Sequence, residues 1–250
     1  SEDFAWFQEH YADFQKRYGN AFLAIKNKQV LGAYSTYAEG VRETAKTEKL
    51  GTFIIQECNA HTEAYHCYVA SMNLRKEIRE KEKRVESMGS VSAFTTYGDG
   101  LLRQLSNEVT IRCEDKDLHV KAVWDTGATS SCISNHVVEE LSLIATGKTK
   151  IHTPSGEAER NTYLVDLRLP NDVLIKDLVV IDSEIGSQSI GVLIGMDVIG
   201  MGDFAVSNFG DKTVFSFRIP SDKRTDYVAE LRKSQLIGPT HGKGKQKKRR

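Results

Sequence analysis

The chain has 250 residues, of which 40% are hydrophobic and 27% are charged, as in ordinary folded proteins. It contains no run of about 18 apolar residues, so neither a membrane span nor a membrane partner is expected. The 34 Lys and Arg residues balance 34 Asp and Glu, and the four cysteines are too few for a disulfide scaffold, so a cytoplasmic location is expected.

The first region, residues 1–72, is predicted to be a small α+β domain. Aromatic residues recur there at three- and four-residue steps, which indicates one face of an amphipathic helix. They are Phe4, Phe7, Tyr11, Phe14 and Tyr18. Strands are then expected over residues 21–25 and 30–34, a helix over 36–50, and β-rich runs over 52–56 and 65–72. The pattern fixes no role for this domain, and substrate capture is one hypothesis.

Two cysteines and two histidines late in this region raise the question of a zinc site. They are Cys58, His61, His66 and Cys67. Their spacing matches no common zinc set, and the adjacent His66 and Cys67 would point to opposite faces of a strand. We therefore favour ordinary packing for these side chains and expect no metal.

Residues 73–104 are predicted to connect two domains. Alternating charges over residues 73–88 favour an exposed helix. The Gly, Ser and Thr residues over 87–100 favour a linker.

The next region, residues 105–220, is predicted to be mainly β. A polar turn between the apolar runs 109–113 and 118–123 predicts a hairpin. Further strands are expected over residues 162–169, 173–181, 191–194, 203–207 and 213–219. Helices are expected over residues 134–144 and directly after Gly195.

One apolar strand of this region ends in Asp125-Thr126-Gly127-Ala128. Asp, Thr and Gly are common in turns, so the tripeptide alone is weak evidence for an active site. Its context strengthens it, because a hairpin-like stretch follows at residues 151–157 and a second apolar strand closes in Ile194-Gly195.

This ordered set resembles the retropepsin family, the retroviral-type aspartic proteases. The resemblance implies a closed β-barrel acid protease domain over residues 105–220, an endopeptidase activity on peptide or protein substrates, and no cofactor. It implies that Asp125 is the catalytic carboxylate. The loop-supporting residues that it implies are Thr126, Gly127, Ala128, Ile194 and Gly195, and the substrate-covering flap that it implies is Thr153, Pro154, Ser155 and Gly156.

The Asp-Thr-Gly sequence occurs once in the chain. An aspartic protease needs two carboxylates that share a proton, so a homodimer is expected to supply one Asp125 from each copy. The alternative is a catalytically silent module of the same fold that binds peptides or dimerises. Two departures from the family pattern are Trp124, where an aliphatic residue is more usual, and Pro154, which predicts a stiffer flap.

Residues 221–250 are predicted to form a polar helix near 226–234 and a disordered basic tail. Six of the eight residues over 243–250 are Lys or Arg, which makes this tail a candidate for weak contact with nucleic acid or an anionic surface. Since it has no aromatic residue to stack on bases, a solvated tail is the default expectation.

Overall fold

The computed structural model describes residues 1–59, 85–86, 91–153, 156–185 and 189–236. The structure has three parts: an N-terminal unit (residues 1–59), a closed β-barrel, and a three-stranded sheet that we call the terminal sheet. No helix in these ranges is long and apolar enough to cross a membrane.

The N-terminal unit has the predicted α+β composition. Its elements are α1 (Glu2–Glu9), α2 (Tyr11–Tyr18), β1 (Ala21–Lys26), β2 (Gln29–Tyr34), α3 (Tyr37–Thr44) and β3 (Ile54–Cys58). The aromatic series forms two helices instead of one, because the backbone leaves helical geometry at His10 (φ −102°, ψ 11°). The antiparallel sheet has the order β2-β1-β3.

The two faces of β1 separate the apolar residues of this unit into two clusters. Leu23 and Ile25 face the aromatic side chains of α1 and α2. Ala24, between them in sequence, belongs to the second cluster with Tyr37 and Ile55. This division follows from the alternation of side chains along a strand.

The barrel is closed by six strands. The remaining strands of the chain are β4 (Val85–Glu86), β5 (Ser92–Tyr97), β6 (Ser106–Cys113), β7 (Lys116–Trp124), β8 (Cys132–Ser134), β9 (Gly147–Thr153), β10 (Gly156–Arg168), β11 (Leu174–Ser183), β12 (Ile190–Ile194), β13 (Asp203–Phe209) and β14 (Lys212–Ile219). The ring runs β11-β8-β12-β7-β6-β10 and returns to β11, while β4 and β9 extend the sheet beyond it.

Apolar side chains from the barrel strands form one continuous core that stabilises the barrel. In the predicted hairpin β6–β7, Cys113 pairs with Lys116 across a turn in which Glu114 adopts φ 53°. Side chains such as Ile111, Ile133 and Leu167 are fully buried in one continuous core. Two short helices, α4 (Asn135–Glu140) and α5 (Met196–Ile199), follow β8 and β12.

The terminal sheet, in the order β13-β14-β5, corrects the prediction for residues 73–104. Residues 92–97 form β5, where a linker was predicted, because the partly buried Phe94 packs against aromatic residues of β14 that lie far away in sequence. Residues 85–86 pair with β11 as β4, where the predicted charged helix would continue.

The predicted polar helix near the C-terminus is present as α6 (Tyr227–Leu236). The basic stretch 243–250 lies outside the described residues, so its contact with nucleic acid or an anionic surface stays a prediction.

An ionic cluster around Asp203 fastens the end of the terminal sheet. The Asp203 carboxylate accepts hydrogen bonds from Arg218 (Nε, 2.9 Å), the Ser221 hydroxyl (2.5 Å) and the Asp222 backbone N–H (3.0 Å). Partial burial raises the pKa of Asp203, but these hydrogen bonds and the Arg218 charge outweigh burial and lower the pKa to about 2.

We expect Asp203→Asn to lower the free energy of unfolding by about 1–2 kcal/mol at pH 7. Because the folded-state pKa lies below the unfolded value, the stabilisation is complete above about pH 4 and is lost as the pH falls towards 2. Urea unfolding of both proteins at pH 7, 4 and 2 measures this difference. Asp211→Asn, at an exposed turn, is the matched control, and a difference that does not shrink at low pH would contradict the assignment.

Candidate active site

The Asp125 loop (residues 125–130) begins where the two central parallel strands of the barrel end together. Strand β12 pairs with β7 up to Ile194 and Trp124. The Asp125 backbone N–H then donates to the Ile194 carbonyl at 2.9 Å. The first residue of the loop is therefore fixed to the barrel by the last pairing of its strand.

The carboxylate of Asp125 is oriented by its own loop. Its Oδ1 accepts a hydrogen bond from the Gly127 backbone N–H at 2.9 Å, and the Asp125 carbonyl accepts one from the Ala128 N–H at 3.2 Å. No described residue donates a hydrogen bond to Oδ2. Asp125 is half-buried, while Thr126 and Gly127 are exposed. The loop therefore presents one oxygen of a fixed carboxylate, beside an exposed threonine, at the molecular surface.

Gly195 lets the chain after β12 come against this loop. A Cβ at this position would lie 2.7 Å from the Ser130 carbonyl carbon and 3.0 Å from the Ala128 carbonyl oxygen, so only glycine fits. The Met196 N–H donates to the Ala128 carbonyl at 2.8 Å, and the Asp197 N–H to the Thr129 carbonyl at 3.2 Å. The structure thus brings Ala128, Ile194 and Gly195 together around Asp125.

Two residues that support the Asp125 loop, Ser131 and Asp197, were not predicted from the sequence. The fully buried Ser131 donates from its backbone N–H to Asp197 Oδ2 (2.9 Å) and from its hydroxyl to Asp197 Oδ1 (2.8 Å). The same hydroxyl accepts the Gly195 N–H at 3.0 Å. An acid two residues after the strand-ending glycine, at the start of a predicted helix, was the available hint, because such acids satisfy free N–H groups there.

The surroundings of Trp124 explain why this position holds a large aromatic residue and not the aliphatic residue that is more usual in the family. Its indole N–H donates to Asn107 Oδ1 at 2.9 Å. Its ring is surrounded by four phenylalanines of the terminal sheet at centroid distances between 4.9 and 6.0 Å. They are Phe94, Phe204, Phe215 and Phe217. The residue before Asp125 therefore joins the barrel to the terminal sheet, which requires a large aromatic side chain.

The predicted flap falls on the hairpin β9–β10. Thr153 and Gly156 pair with each other at the end of the two strands. Pro154 and Ser155 lie outside the described residues. The described part of the chain therefore establishes the two strands of this hairpin and leaves its tip as a prediction.

Among the described residues, the structure supports neither a thiol–imidazole pair nor a metal site. Cys132 and His136 are four residues apart in sequence, a spacing that could suggest a thiol–imidazole pair. In the structure, Cys132 Sγ contacts the Ser130 carbonyl oxygen (3.6 Å), whereas the His136 ring lies 3.9 Å from Glu140. Cys58 is buried, which raises the pKa of its thiol, and His61, His66 and Cys67 lie outside the described residues. Within the described ranges, no group of three or more His, Cys, Asp or Glu could hold a metal ion.

Comparison with known proteins finds a family model that matches less than half of the chain. Residues 108–198, which include the Asp125 loop, the hairpin β9–β10 and Gly195, match the model of a family described as aspartyl protease. The resemblance to retropepsin-like aspartic proteases and the predicted mainly β fold with a closed barrel are confirmed. No curated protein matches the chain.

Three solved structures with distant similarity carry related names. A retropepsin-like aspartic protease from Rickettsia conorii shares 15% identity over 53% of this chain and 98% of its own, with a TM-score of 0.35. The protease of simian foamy virus shares 21% identity over 38% and 92% of the two chains, with a TM-score of 0.28. The EIAV protease, solved with the inhibitor HBY-793, shares 20% identity over 40% and 88%, with a TM-score of 0.31.

We expect Ser131→Ala to lower the free energy of unfolding by about 2–3 kcal/mol. The substitution leaves the buried Gly195 N–H without its acceptor and removes one donor from Asp197. Chemical denaturation measures the loss. Ser130→Ala removes a hydroxyl from the neighbouring position and is the control. Equal stability of the two variants would show that the Ser131 hydroxyl does not hold the loop.

Proposed function

We propose that this protein is an aspartic endopeptidase that is active as a homodimer, with one Asp125 from each copy. The observation that supports this most directly is the Asp125 loop itself. It is a single oriented carboxylate at an exposed loop, within a segment that matches the aspartyl protease family. Each chain would supply one carboxylate of the catalytic pair to a two-fold symmetric dimer.

In the proposed mechanism, the two carboxylates share one proton, because two negative charges so close together cannot both ionise easily. Aspartic proteases are themselves the standard example of this behaviour. The ionised carboxylate takes a proton from a water molecule, whose oxygen attacks the peptide carbonyl carbon. The protonated carboxylate gives its proton to the carbonyl oxygen. The carboxyl group that took the water proton then gives it to the amide nitrogen as the C–N bond breaks. The other carboxylate takes a proton from a hydroxyl of the tetrahedral intermediate as the new carboxylic acid forms, so the pair again holds one proton.

The remaining site residues would support this chemistry without reacting. Gly127, through its N–H, keeps Asp125 in one orientation, which lowers the reorganisation needed at the transition state. The exposed Thr126 would donate from its hydroxyl to the matching loop of the partner and align the two copies. The hairpin β9–β10 would cover an extended peptide and exclude water from it.

We expect Asp125→Asn to reduce peptide cleavage by at least about 10³-fold, because an amide cannot act as the base for water. The variant should keep the molecular mass of the wild-type dimer in solution. Cleavage of a peptide library, followed by mass spectrometry with and without pepstatin, measures the loss. Wild-type activity should have an acid-to-neutral optimum.

The matched control is Asp115→Asn, in the exposed turn of the same β6–β7 hairpin, which should cleave like the wild type. Undiminished cleavage by purified Asp125→Asn would refute the mechanism. Peptide binding without turnover by the wild type would instead favour the catalytically silent module.

Mixing the two proteins tests the shared site separately. If each active unit needs two Asp125 carboxylates, an equal mixture of wild type and Asp125→Asn after subunit exchange contains about a quarter active dimers. Activity per wild-type chain should therefore fall to about half. Activity that stays proportional to the wild-type fraction would show that one copy suffices.

A further inference from the structure

The hairpin β9–β10 projects from the barrel and joins it over a short segment. From Thr153 and Gly156 at its end to Gly147 and Thr162 at its base, the two strands pair with each other. From Thr162 onwards, β10 also pairs with β11 of the barrel, beginning at Ile181. The pair Gly147–Thr162, which we call the hairpin root, is therefore the point where the projecting hairpin joins the barrel.

The N-terminal unit contacts the chain at this root. The Tyr37 hydroxyl lies 2.8 Å from Thr146 Oγ1 and 2.9 Å from Thr162 Oγ1, and all three side chains are buried. Strand β3 adds a backbone bond, from the Ile55 N–H to the Thr146 carbonyl at 2.8 Å. One tyrosine at the start of α3 thus bridges Thr162 of β10 and Thr146, the residue directly before β9, where the hairpin begins to project.

Gly147 shows how closely the two parts approach. A Cβ at this position would lie 2.6 Å from the Ile55 carbonyl oxygen, 2.6 Å from the Tyr37 hydroxyl and 2.7 Å from Thr162 Oγ1. A side chain at 147 would therefore force the N-terminal unit away from the root. The glycine is required by this contact, since its own backbone conformation does not demand one.

The same face of the N-terminal unit shares a core with the barrel. Leu164 of β10 and Val179 of β11 pack against the cluster formed around Tyr37 and Ile55. At the rim, Arg42 of α3 forms an ion pair with Asp177 of β11. The apolar contact extends from the root into the barrel wall, so the unit is seated on the strands that carry the hairpin.

We propose that the N-terminal unit positions the β9–β10 hairpin, and that Tyr37 is the positioning residue of this contact. The inference rests on the proposed function, in which this hairpin covers the substrate beside Asp125. Two-stranded hairpins are marginally stable alone, so the orientation of this one depends on what holds its base.

A small tilt at the hairpin root displaces the far end of the hairpin by a large distance. With a rise of about 3.3 Å per residue, the six steps from Gly147 to Thr153 span about 20 Å. A tilt of roughly 5° at the root would therefore move the end of the strand by nearly 2 Å, far enough to weaken the contacts between the hairpin and a bound peptide. Burial also raises the pKa of Tyr37 to about 12, so its hydroxyl stays protonated throughout the pH range of an aspartic protease.

We expect Tyr37→Phe in the full chain to speed amide hydrogen exchange over residues 147–162 by about fivefold, because the hydroxyl bridge across the root is lost. With a cleavable peptide, we expect KM to rise by about three- to tenfold while kcat changes less than twofold, since binding under the hairpin is weakened and Asp125 is untouched. Hydrogen exchange by mass spectrometry and steady-state kinetics measure the two effects.

Gly147→Ala attacks the same contact from the barrel side and should give the same two effects. Tyr34→Phe is the matched control, because the Tyr34 hydroxyl interacts with Thr44 inside the N-terminal unit, and it should leave both readouts as in the wild type. Wild-type exchange over 147–162 in both Tyr37→Phe and Gly147→Ala would overturn the proposal, as would unchanged kinetic constants in active variants. Should the wild type cleave nothing, the proposed function fails, while the exchange measurement still decides whether the unit holds the hairpin.

Discussion

The approach of Gly195 to the Asp125 loop is the contact on which the site depends. Because residue 195 has no side chain, the loop carbonyls can accept the N–H groups of α5 directly. Ser131 and Asp197 then satisfy the remaining buried polar groups between the two segments. The orientation of Asp125 is thus set by backbone pairing and by the partly buried Asp197 carboxylate, an arrangement that needs no rearrangement when charge develops nearby.

The barrel and the N-terminal unit bury apolar side chains against each other, so they are packed together more closely than two domains joined only by a linker would be. Their shared cluster contains apolar side chains from β1, α3 and the barrel wall, and a buried hydroxyl group bridges them. Burying polar groups is favourable only when each finds a partner, which Tyr37 does twice. A sequence-based division at residue 72 could not show this surface, because the contacts join residues more than a hundred positions apart.

The sequence predicted the strands around the Asp125 loop better than the tertiary contacts that hold this loop. Strand periodicity, the Asp125-Thr126-Gly127 turn and the glycine after β12 are local patterns, and each predicted element around them is present. The residues 92–97 were assigned to a linker because Ser and Thr suggested a loop, whereas their strand exists through pairing with β14. Ser131 and Asp197 were missed for the same reason: a common serine and a common acid gain their roles only from a tertiary contact.

The pairing of β5 with β14 has a consequence for the order in which the molecule is assembled. Thr95 and Ser216 meet across 121 positions, and the aromatic cage around Trp124 draws on both strands. Closing so long a loop is slow and cannot begin until the ribosome has delivered the last strand. Trp124, the residue before Asp125, therefore lacks part of its aromatic cage in a growing chain until synthesis has passed residue 219. A fragment that begins after β5 would lack Phe94 from that cage permanently.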